Sequence, residues 1–142
     1  MKNSQLLMEW NDRLDIGVDH MNHQHQYLLD LMNQLYVAST KNSGRQKIIT
    51  LIESLKTATV DHFKEEEEFM LEIEFEGLES HKRIHVNLLE KFESHRLEFV
   101  SSENETLDPK FFQFLKFWLS AHIQGIDAKY GEHATAHSKK AI

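Results

Sequence analysis

The chain contains no cysteine, so disulfides, zinc sites built on thiolates and iron–sulfur clusters are all excluded. Proline occurs once and glycine five times in 142 residues, and this scarcity of helix breakers is typical of a mostly helical chain. No apolar run reaches the length of a transmembrane helix, and the first ten residues contain no apolar stretch long enough for a signal peptide. We therefore expect a cytoplasmic protein with no membrane contact.

An excess of positive charge is also lacking. The formal net charge is -7, and no stripe of basic residues appears. Nucleic acids and anionic membranes attract basic surfaces, so neither is expected as a partner. Hydrophobic residues make up 40% of the chain, which is enough for the core of one domain. The unusual feature is the presence of ten histidines, which directs the search for a functional site.

Four stretches show the apolar periodicity of helices. They cover residues 19–40, 45–71, 78–100 and 109–130. Residues 42–44 and Gly77 separate the first three, and Asp108 followed by Pro109 is a typical helix start. Gly131 is predicted to end the last helix. Four helices of roughly 20 residues with short connections predict an all-α, up-down-up-down four-helix bundle.

A single domain is expected to cover residues 1–142. Residues 1–18 are predicted to form an N-terminal arm that packs on the bundle through apolar side chains such as Ile16. Residues 19–130 would form the bundle itself. Residues 131–142 are polar enough to be predicted as a tail.

Histidines and carboxylates occur on the apolar helix faces, at positions where a hydrophobic core would normally have a residue such as leucine. His62 and Glu66 are four residues apart, as are His81 and His85, so each pair lies on one face of its helix. The first and last helices contribute three more such groups. The full set is His25, His62, Glu66, His81, His85, His122 and Asp127.

These seven groups alternate between early and late positions in successive helices, so an up-down bundle brings them to one end of its core. Burial of five imidazoles and two carboxylates without compensation would be prohibitive, and a metal centre compensates for it. Imidazole and carboxylate without sulfur suit iron, zinc, copper or manganese. Seven ligands are too many for one ion, so two ions are predicted, with carboxylates bridging them.

One spacing departs from this pattern. His122 and Asp127 are five residues apart, which is about 140° around an α-helix. Asp127 can join the other six groups only from near the end of the helix or through a local π-type distortion.

Four segments resemble the hemerythrin family in its bacterial form, and the resemblance extends from about Glu9 to Tyr130. They are residues 24–28 (QHQYL), 62–70 (HFKEEEEFM), 81–85 (HKRIH) and 118–127 (WLSAHIQGID). The resemblance implies a non-haem centre of two iron ions, ferrous or ferric, joined by an oxo or hydroxo bridge. One iron would be held by His81, His85 and His122 and the other by His25 and His62, with Glu66 and Asp127 bridging both.

Counting these implied ligands fills the first iron and leaves one octahedral position open on the second, where dioxygen binds in this family. The resemblance also implies an apolar oxygen pocket. Its lining would be Leu28, Phe63, Trp118, Leu119 and Ile123. A dry pocket of this kind protects a bound ligand from water and protons.

The remaining histidines are predicted to stay outside the centre. His20 and His23 flank His25 on other helix faces and are expected to be solvated. His95 is expected to be a hydrogen-bonded structural residue. His133 and His137 fall in the predicted tail, where specific metal binding is not expected.

Asn22 and the acidic run of residues 65–68 lie close to the implied ligands. The family often carries aspartate where this chain has Asn22, which is not a ligand position; the change removes a charge. In the acidic run, Glu65 and Glu68 are predicted to be solvated, and Glu67 is predicted to make a surface or inter-helix contact.

The leading functional hypothesis is reversible dioxygen binding by a monomeric protein that is not an enzyme, for storage, delivery or sensing of oxygen. The first alternative is a di-iron enzyme that reduces peroxide, nitric oxide or dioxygen. Oxidase-type bundles use the Glu-x-x-His spacing, which is absent from this site, so binding is favoured. The second alternative is a regulatory module whose iron state changes its contacts with an unidentified protein partner.

Overall fold

The computed structural model describes residues 6–141, with side chains described as far as residue 136. A short 3-10 helix, Asp12–Leu14, precedes the main helices, which are α1 (Asp19–Thr40), α2 (Arg45–Glu72), α3 (Leu78–Val100), α4 (Pro109–Phe117), a π-helix (Trp118–Asp127) and α5 (Ala128–Ala141). The last three run on without a break, so together they form the fourth helix of the bundle. No strand occurs within residues 6–141, and the predicted all-α four-helix bundle is confirmed.

The helices α2 and α4 start where the sequence predicts. Gly44 has a φ of 107°, a conformation that side chains with a Cβ rarely adopt, and α2 starts at the next residue. The side chain of Asp108 accepts a hydrogen bond of 2.9 Å from the amide of Lys110, and Pro109 occupies the first position of α4. These local features fix the helix starts.

The apolar core fills the end of the bundle opposite the histidines. It is built from late residues of α1 and α3 and early residues of α2 and α4, among them Met32, Leu35, Ile48, Ile52, Leu55, Phe92, Phe111 and Leu115, all 2% exposed or less. Arg45 ties the loops at this end together, because its guanidinium donates to the carbonyl oxygens of Phe99, Val100 and Asn104. The hydrophobic end therefore supplies a rigid base for the polar end.

The described part of the predicted N-terminal arm, residues 6–18, packs on the bundle with Leu14, Ile16 and Val18 buried, and residues 1–5 lie outside the described residues. Asn22 on α1 fastens it, since its Oδ1 accepts from the amide of Ile16 at 3.0 Å and its Nδ2 donates to Asp15 at 2.8 Å. Asn22 thus holds the arm against α1.

The prediction that Gly131 ends the last helix is wrong. The helix continues as α5 to Ala141, so residues 131–141 extend the bundle's fourth helix rather than form a tail. The physical reason lies in the arm, because a Cβ at position 131 would overlap the carbonyl oxygen of Ile16. Glycine serves here to let two backbones approach closely.

Among the helices of the described part of the chain, none is both long enough and apolar enough to cross a membrane.

Candidate metal centre

The seven side chains singled out from the sequence meet at one end of the bundle core. All are buried, and none is more than 6% exposed. They form two groups in which one potential ligand atom from each residue lies within 4.8 Å of the others. The larger group is Glu66, His81, His85, His122 and Asp127, and the smaller is His25, His62, Glu66 and Asp127.

The two carboxylates belong to both groups, and each turns one oxygen toward either side. On the side of three histidines, Asp127 Oδ1 lies 2.9 Å from His81 Nε2 and 3.0 Å from His122 Nε2, and Glu66 Oε1 lies 3.1 Å from His85 Nε2. On the other side, Asp127 Oδ2 lies 3.1 Å from His25 Nε2. Glu66 Oε2 lies 3.2 Å from both His25 Nε2 and His62 Nε2. This is the arrangement of two bridging carboxylates.

The donor atoms of this cluster are short of hydrogen bonds. Within the described side chains, the buried nitrogen and oxygen atoms without a hydrogen-bond partner are His25 Nδ1, Glu66 Oε1, His81 Nε2, His85 Nε2, His122 Nε2, Asp127 Oδ1 and Asp127 Oδ2. Six of these seven atoms are the ones that face each other across the cluster. Buried polar atoms are rarely left unpaired, and ligation of two metal ions would satisfy these six. The residues present therefore fit a pair of ions.

Asp127 reaches the cluster through the π-helix. The i→i+5 hydrogen bonding of a π-helix lays residues five apart over one another. His122 and Asp127 accordingly come together on one face, with 3.0 Å between His122 Nε2 and Asp127 Oδ1. Of the two alternatives that the spacing left open, the structure has the π-type distortion, which extends over the ten residues Trp118–Asp127.

Hydrogen bonds from the outside fix two of the imidazole rings. Gln24 Oε1 lies 2.6 Å from His62 Nδ1, and Glu67 Oε2 lies 2.8 Å from His85 Nδ1. Gln24 in turn donates from Nε2 to Glu65 at 2.7 Å. Each acceptor favours a proton on Nδ1 and leaves Nε2 free to bind a metal. The predicted inter-helix contact of Glu67 is confirmed; the role of Gln24 was missed, although Gln24 directly precedes His25.

Tyr130 was also missed by the sequence analysis. Its side chain is fully buried, and its hydroxyl donates a hydrogen bond of 2.5 Å to Glu66 Oε2. Burial raises the pKa of Tyr130 far above its usual value, and the charges of Glu66 and Asp127 raise it further. The phenol is therefore a permanent donor to the oxygen that faces His25 and His62. Its position three residues after Asp127, on the buried side of the helix, was the available signal.

The ionisable groups of the cluster shift one another's pKa values. Burial alone would lower the pKa of His25, but hydrogen bonds and charge from Asp127 and Glu66 raise it to about 9. Burial would raise the pKa values of Glu66 and Asp127, yet the surrounding histidines hold both well below the usual range. Without metal, the site therefore pairs buried carboxylates with at least one protonated imidazole.

The five residues of the predicted oxygen pocket are all buried. Phe63 stacks on the ring of His85 with centroids 3.7 Å apart and also lies beside Trp118 at 5.9 Å. Leu28, Leu119 and Ile123 are each 1% exposed. The cluster is thus enclosed by apolar and aromatic side chains, while the role of each in an oxygen pocket stays a prediction.

The other histidines have surroundings of their own. His20 and His23 are exposed, as predicted. His95 is half-buried and stacks on the rings of Phe111 and Phe114, which fits a structural role, but the predicted hydrogen bond of its ring is not found among the described residues. His133 Nε2 lies 2.8 Å from the carbonyl oxygen of Ile73, so it helps to seat α5 on the end of α2. The side chain of His137 lies outside the described residues.

A family model, the hemerythrin HHE cation binding domain, matches residues 16–134. The chain belongs to the hemerythrin family. It is 32% identical over 131 residues to a bacteriohemerythrin of Stenotrophomonas maltophilia, covering 92% of this chain and 84% of the relative. It is 31% identical over 121 residues to a myohemerythrin of Riftia pachyptila, covering 85% and 88%.

Solved hemerythrin structures have the same fold. The crystal structure of wild-type hemerythrin superposes with a TM-score of 0.80 at 26% identity, covering 89% of this chain and 96% of that one. The crystal structure of a hemerythrin mutant, in which one leucine is replaced by alanine, gives a TM-score of 0.82 at 25% identity, covering 91% and 98%. Membership of the hemerythrin family and the two-sided carboxylate cluster therefore agree on a cation-binding bundle.

Proposed function

We propose that this hemerythrin binds dioxygen reversibly at a centre of two iron ions and carries or senses it without transforming it. Family membership indicates oxygen binding at a di-iron site and non-haem iron as the metal. The observation that supports two ions is the pair of carboxylates, Glu66 and Asp127, each with one oxygen toward either histidine set.

The proposed ligand assignment follows these two sets. His81, His85 and His122 would hold one iron, and His25 and His62 the other, with Glu66 and Asp127 shared and an oxo or hydroxo group as a third bridge. The set of two histidines offers one ligand fewer, so its ion would have the position that dioxygen takes. The two irons would supply the electrons that dioxygen accepts on binding.

The protein's own residues would protect bound dioxygen from water and protons. A bound ligand that has gained electrons is lost irreversibly if water and protons reach it, so an enclosed apolar site favours release as dioxygen. Phe63 and Leu28 are buried beside the histidines of the cluster. Tyr130 donates to Glu66 and, with its strongly raised pKa, gives up no proton at neutral pH.

The direct test is an oxygenation cycle. Protein loaded anaerobically with ferrous iron is mixed with dioxygen, and the oxygen is then removed under vacuum or argon. We expect a visible absorption band that forms, persists and disappears over repeated cycles at constant iron content. A band that decays at once to the oxidised form, with dioxygen or peroxide consumed in every cycle, would contradict the proposal and favour the enzyme alternative.

A further inference from the structure

A cavity of about 180 Å³ opens between α1 and α2 beside the metal cluster. A water molecule occupies about 30 Å³ of liquid, so the cavity has room for several molecules of that size. Its inner wall includes Leu28 and His62, which are both buried, and its rim includes Tyr27, Ala58 and Asp61. The cavity therefore leads from the surface to the outer edge of a cluster histidine.

The cavity lies on the side of the cluster that has two histidines. His62 forms part of the cavity wall. The Nε2 atom of the same ring lies 3.2 Å from Glu66 Oε2, inside the cluster. His25 Nε2 meets that same oxygen. In the proposed function, this is the side of the open iron position, so the cavity ends at the outer edge of a histidine that would hold that iron.

Gln24 and Leu28 line the cavity next to His62. Gln24 is hydrogen-bonded to His62 at 2.6 Å and to Glu65 at 2.7 Å. An amide side chain can rotate away and return on a timescale far shorter than that of ligand exchange. Rotation of Gln24 away from His62 would widen the inner end of the cavity.

The rim of the cavity is acidic. Asp61 and Glu65 are both exposed, and neither forms an ion pair with lysine or arginine in the described part of the chain. A shallower groove of about 580 Å³ continues outward from Tyr27, Ala58 and Asp61; it also includes Glu53, whose charge is paired with Arg96 at 2.9 Å. Clefts lined by one sign of charge lower the local concentration of ions of that sign. Anions are therefore disfavoured at this mouth, and neutral molecules are not.

We propose that this α1–α2 opening is the route by which small ligands reach the centre, with Gln24 and Leu28 as its gate and with Asp61 and Glu65 selecting neutral molecules over anions. The proposal rests on the proposed function for the identity of the centre. Its tests use xenon, nitric oxide and azide, so they remain informative even if the oxygenation cycle fails.

The first test locates the route without relying on the iron. Crystals of the wild type pressurised with xenon should show xenon in the cavity. Ala58→Phe places a ring in the cavity and should abolish that density, whereas Val60→Phe adds the same ring to α2 at an exposed position outside the cavity lining and should retain it. An empty cavity in the wild type, or equal xenon density in Ala58→Phe, would overturn the proposal.

The same variants give a kinetic readout in iron-loaded protein. Stopped-flow mixing of ferrous protein with nitric oxide and of ferric protein with azide measures entry of a neutral and an anionic probe. Ala58→Phe should slow both, and Val60→Phe should slow neither. Unchanged rates in Ala58→Phe would show that ligands use another path and would overturn the proposal.

The charge filter has its own matched pair of variants. Asp61→Asn with Glu65→Gln should raise the ratio of the azide to the nitric oxide association rate by roughly 3–10-fold at low salt. The difference should shrink as salt increases, because the screening length falls to about 3 Å at 1 M. Glu103→Gln with Glu105→Gln makes the same change in net charge at the far end of the bundle and should leave the ratio unchanged. An equal rise in both pairs, or none in the first, would contradict the filter.

Discussion

At the scale of single residues, the centre depends on which ring nitrogen carries the proton. Gln24 and Glu67 accept from Nδ1 of His62 and His85, which leaves each Nε2 directed at a carboxylate oxygen. Neither partner needs to touch a metal to matter, since each fixes a tautomer and a ring orientation. The residues that would bind the metal therefore differ from the residues that orient the histidine rings, and the orienting residues are harder to find in a sequence.

The raised pKa of His25 predicts that metal loading releases a proton. Below pH 9 the metal-free ring is largely protonated, because its pKa is about 9, and an incoming ion must displace that proton. Metal affinity should therefore rise with pH up to about 9. Calorimetric titrations at pH 7 in buffers of different ionisation enthalpy measure the release, and His25→Gln should release fewer protons. A pH-independent affinity between 7 and 9 would contradict this account.

The apolar wall gives a second prediction at this scale. Leu28→Ala opens the side of the cluster beside His62 and should speed conversion of the oxygenated protein to the oxidised form. Leu35→Ala is the matched control, because both leucines lie on α1 and are 1% exposed or less, but Leu35 lies in the distant apolar core. Both truncations should cost about 2–4 kcal/mol of unfolding free energy. Equal decay rates of the absorption band at matched iron content would mean that Leu28 only packs.

At the scale of elements, the fourth helix shows where sequence reasoning succeeds and where it stops. The five-residue spacing of His122 and Asp127 cannot be accommodated on one face of an α-helix, so the sequence left a position near the helix end or a π-type distortion, and the second is found. The starts of α1 to α3 follow from periodicity and turn residues, and the start of α4 follows also from its Asp108 cap. The continuation of the helix through Gly131 was not predictable. Glycine is needed at position 131 because the carbonyl oxygen of Ile16 lies against the helix there, and that contact between residues distant in sequence exists only in the folded state.

Alanine substitutions at two glycines of this helix should have opposite effects on the stability of the fold. Gly131→Ala would force the arm away from the helix and should destabilise the fold by about 1–3 kcal/mol. The Cβ added by Gly125→Ala would have no neighbouring atom within 4 Å. This substitution should therefore be neutral or stabilise the fold by up to about 1 kcal/mol. Chemical denaturation of both variants measures the difference, and hydrogen exchange at the Ile16 amide reports on the arm. Equal stabilities would show that the close approach does not restrict position 131.

At the scale of the whole molecule, one end of the bundle core is filled by apolar side chains, and the other end has seven buried polar side chains enclosed by apolar ones. The two-sided cluster could be predicted because its seven members are recognisable ligand types at helical spacings. Gln24 and Tyr130 could not be assigned in this way, since a glutamine or a tyrosine in a helix has many ordinary structural roles. Their contacts with His62 and Glu66 appear only once the helices are packed together.

Metal should therefore stabilise the whole fold. A ligand that binds only the native state adds about 2.7 kcal/mol at a concentration of 100 Kd, and the six unpaired donor atoms of the cluster have no other partners. The melting temperature of the loaded protein should exceed that of the metal-free protein by at least about 5 °C. Glu66→Ala should lose this gain, whereas His133→Ala should keep it. Equal melting temperatures with and without metal would count against a metal centre in the core.

The most direct test of a two-iron centre is anomalous diffraction at the iron edge from crystals of protein loaded with ferrous iron. We predict two peaks per chain, one at the Nε2 atoms of His81, His85 and His122 and one at those of His25 and His62, with Glu66 and Asp127 beside both. A single peak between the carboxylates, or iron bound only outside the cluster, for example beside His133, would contradict the account.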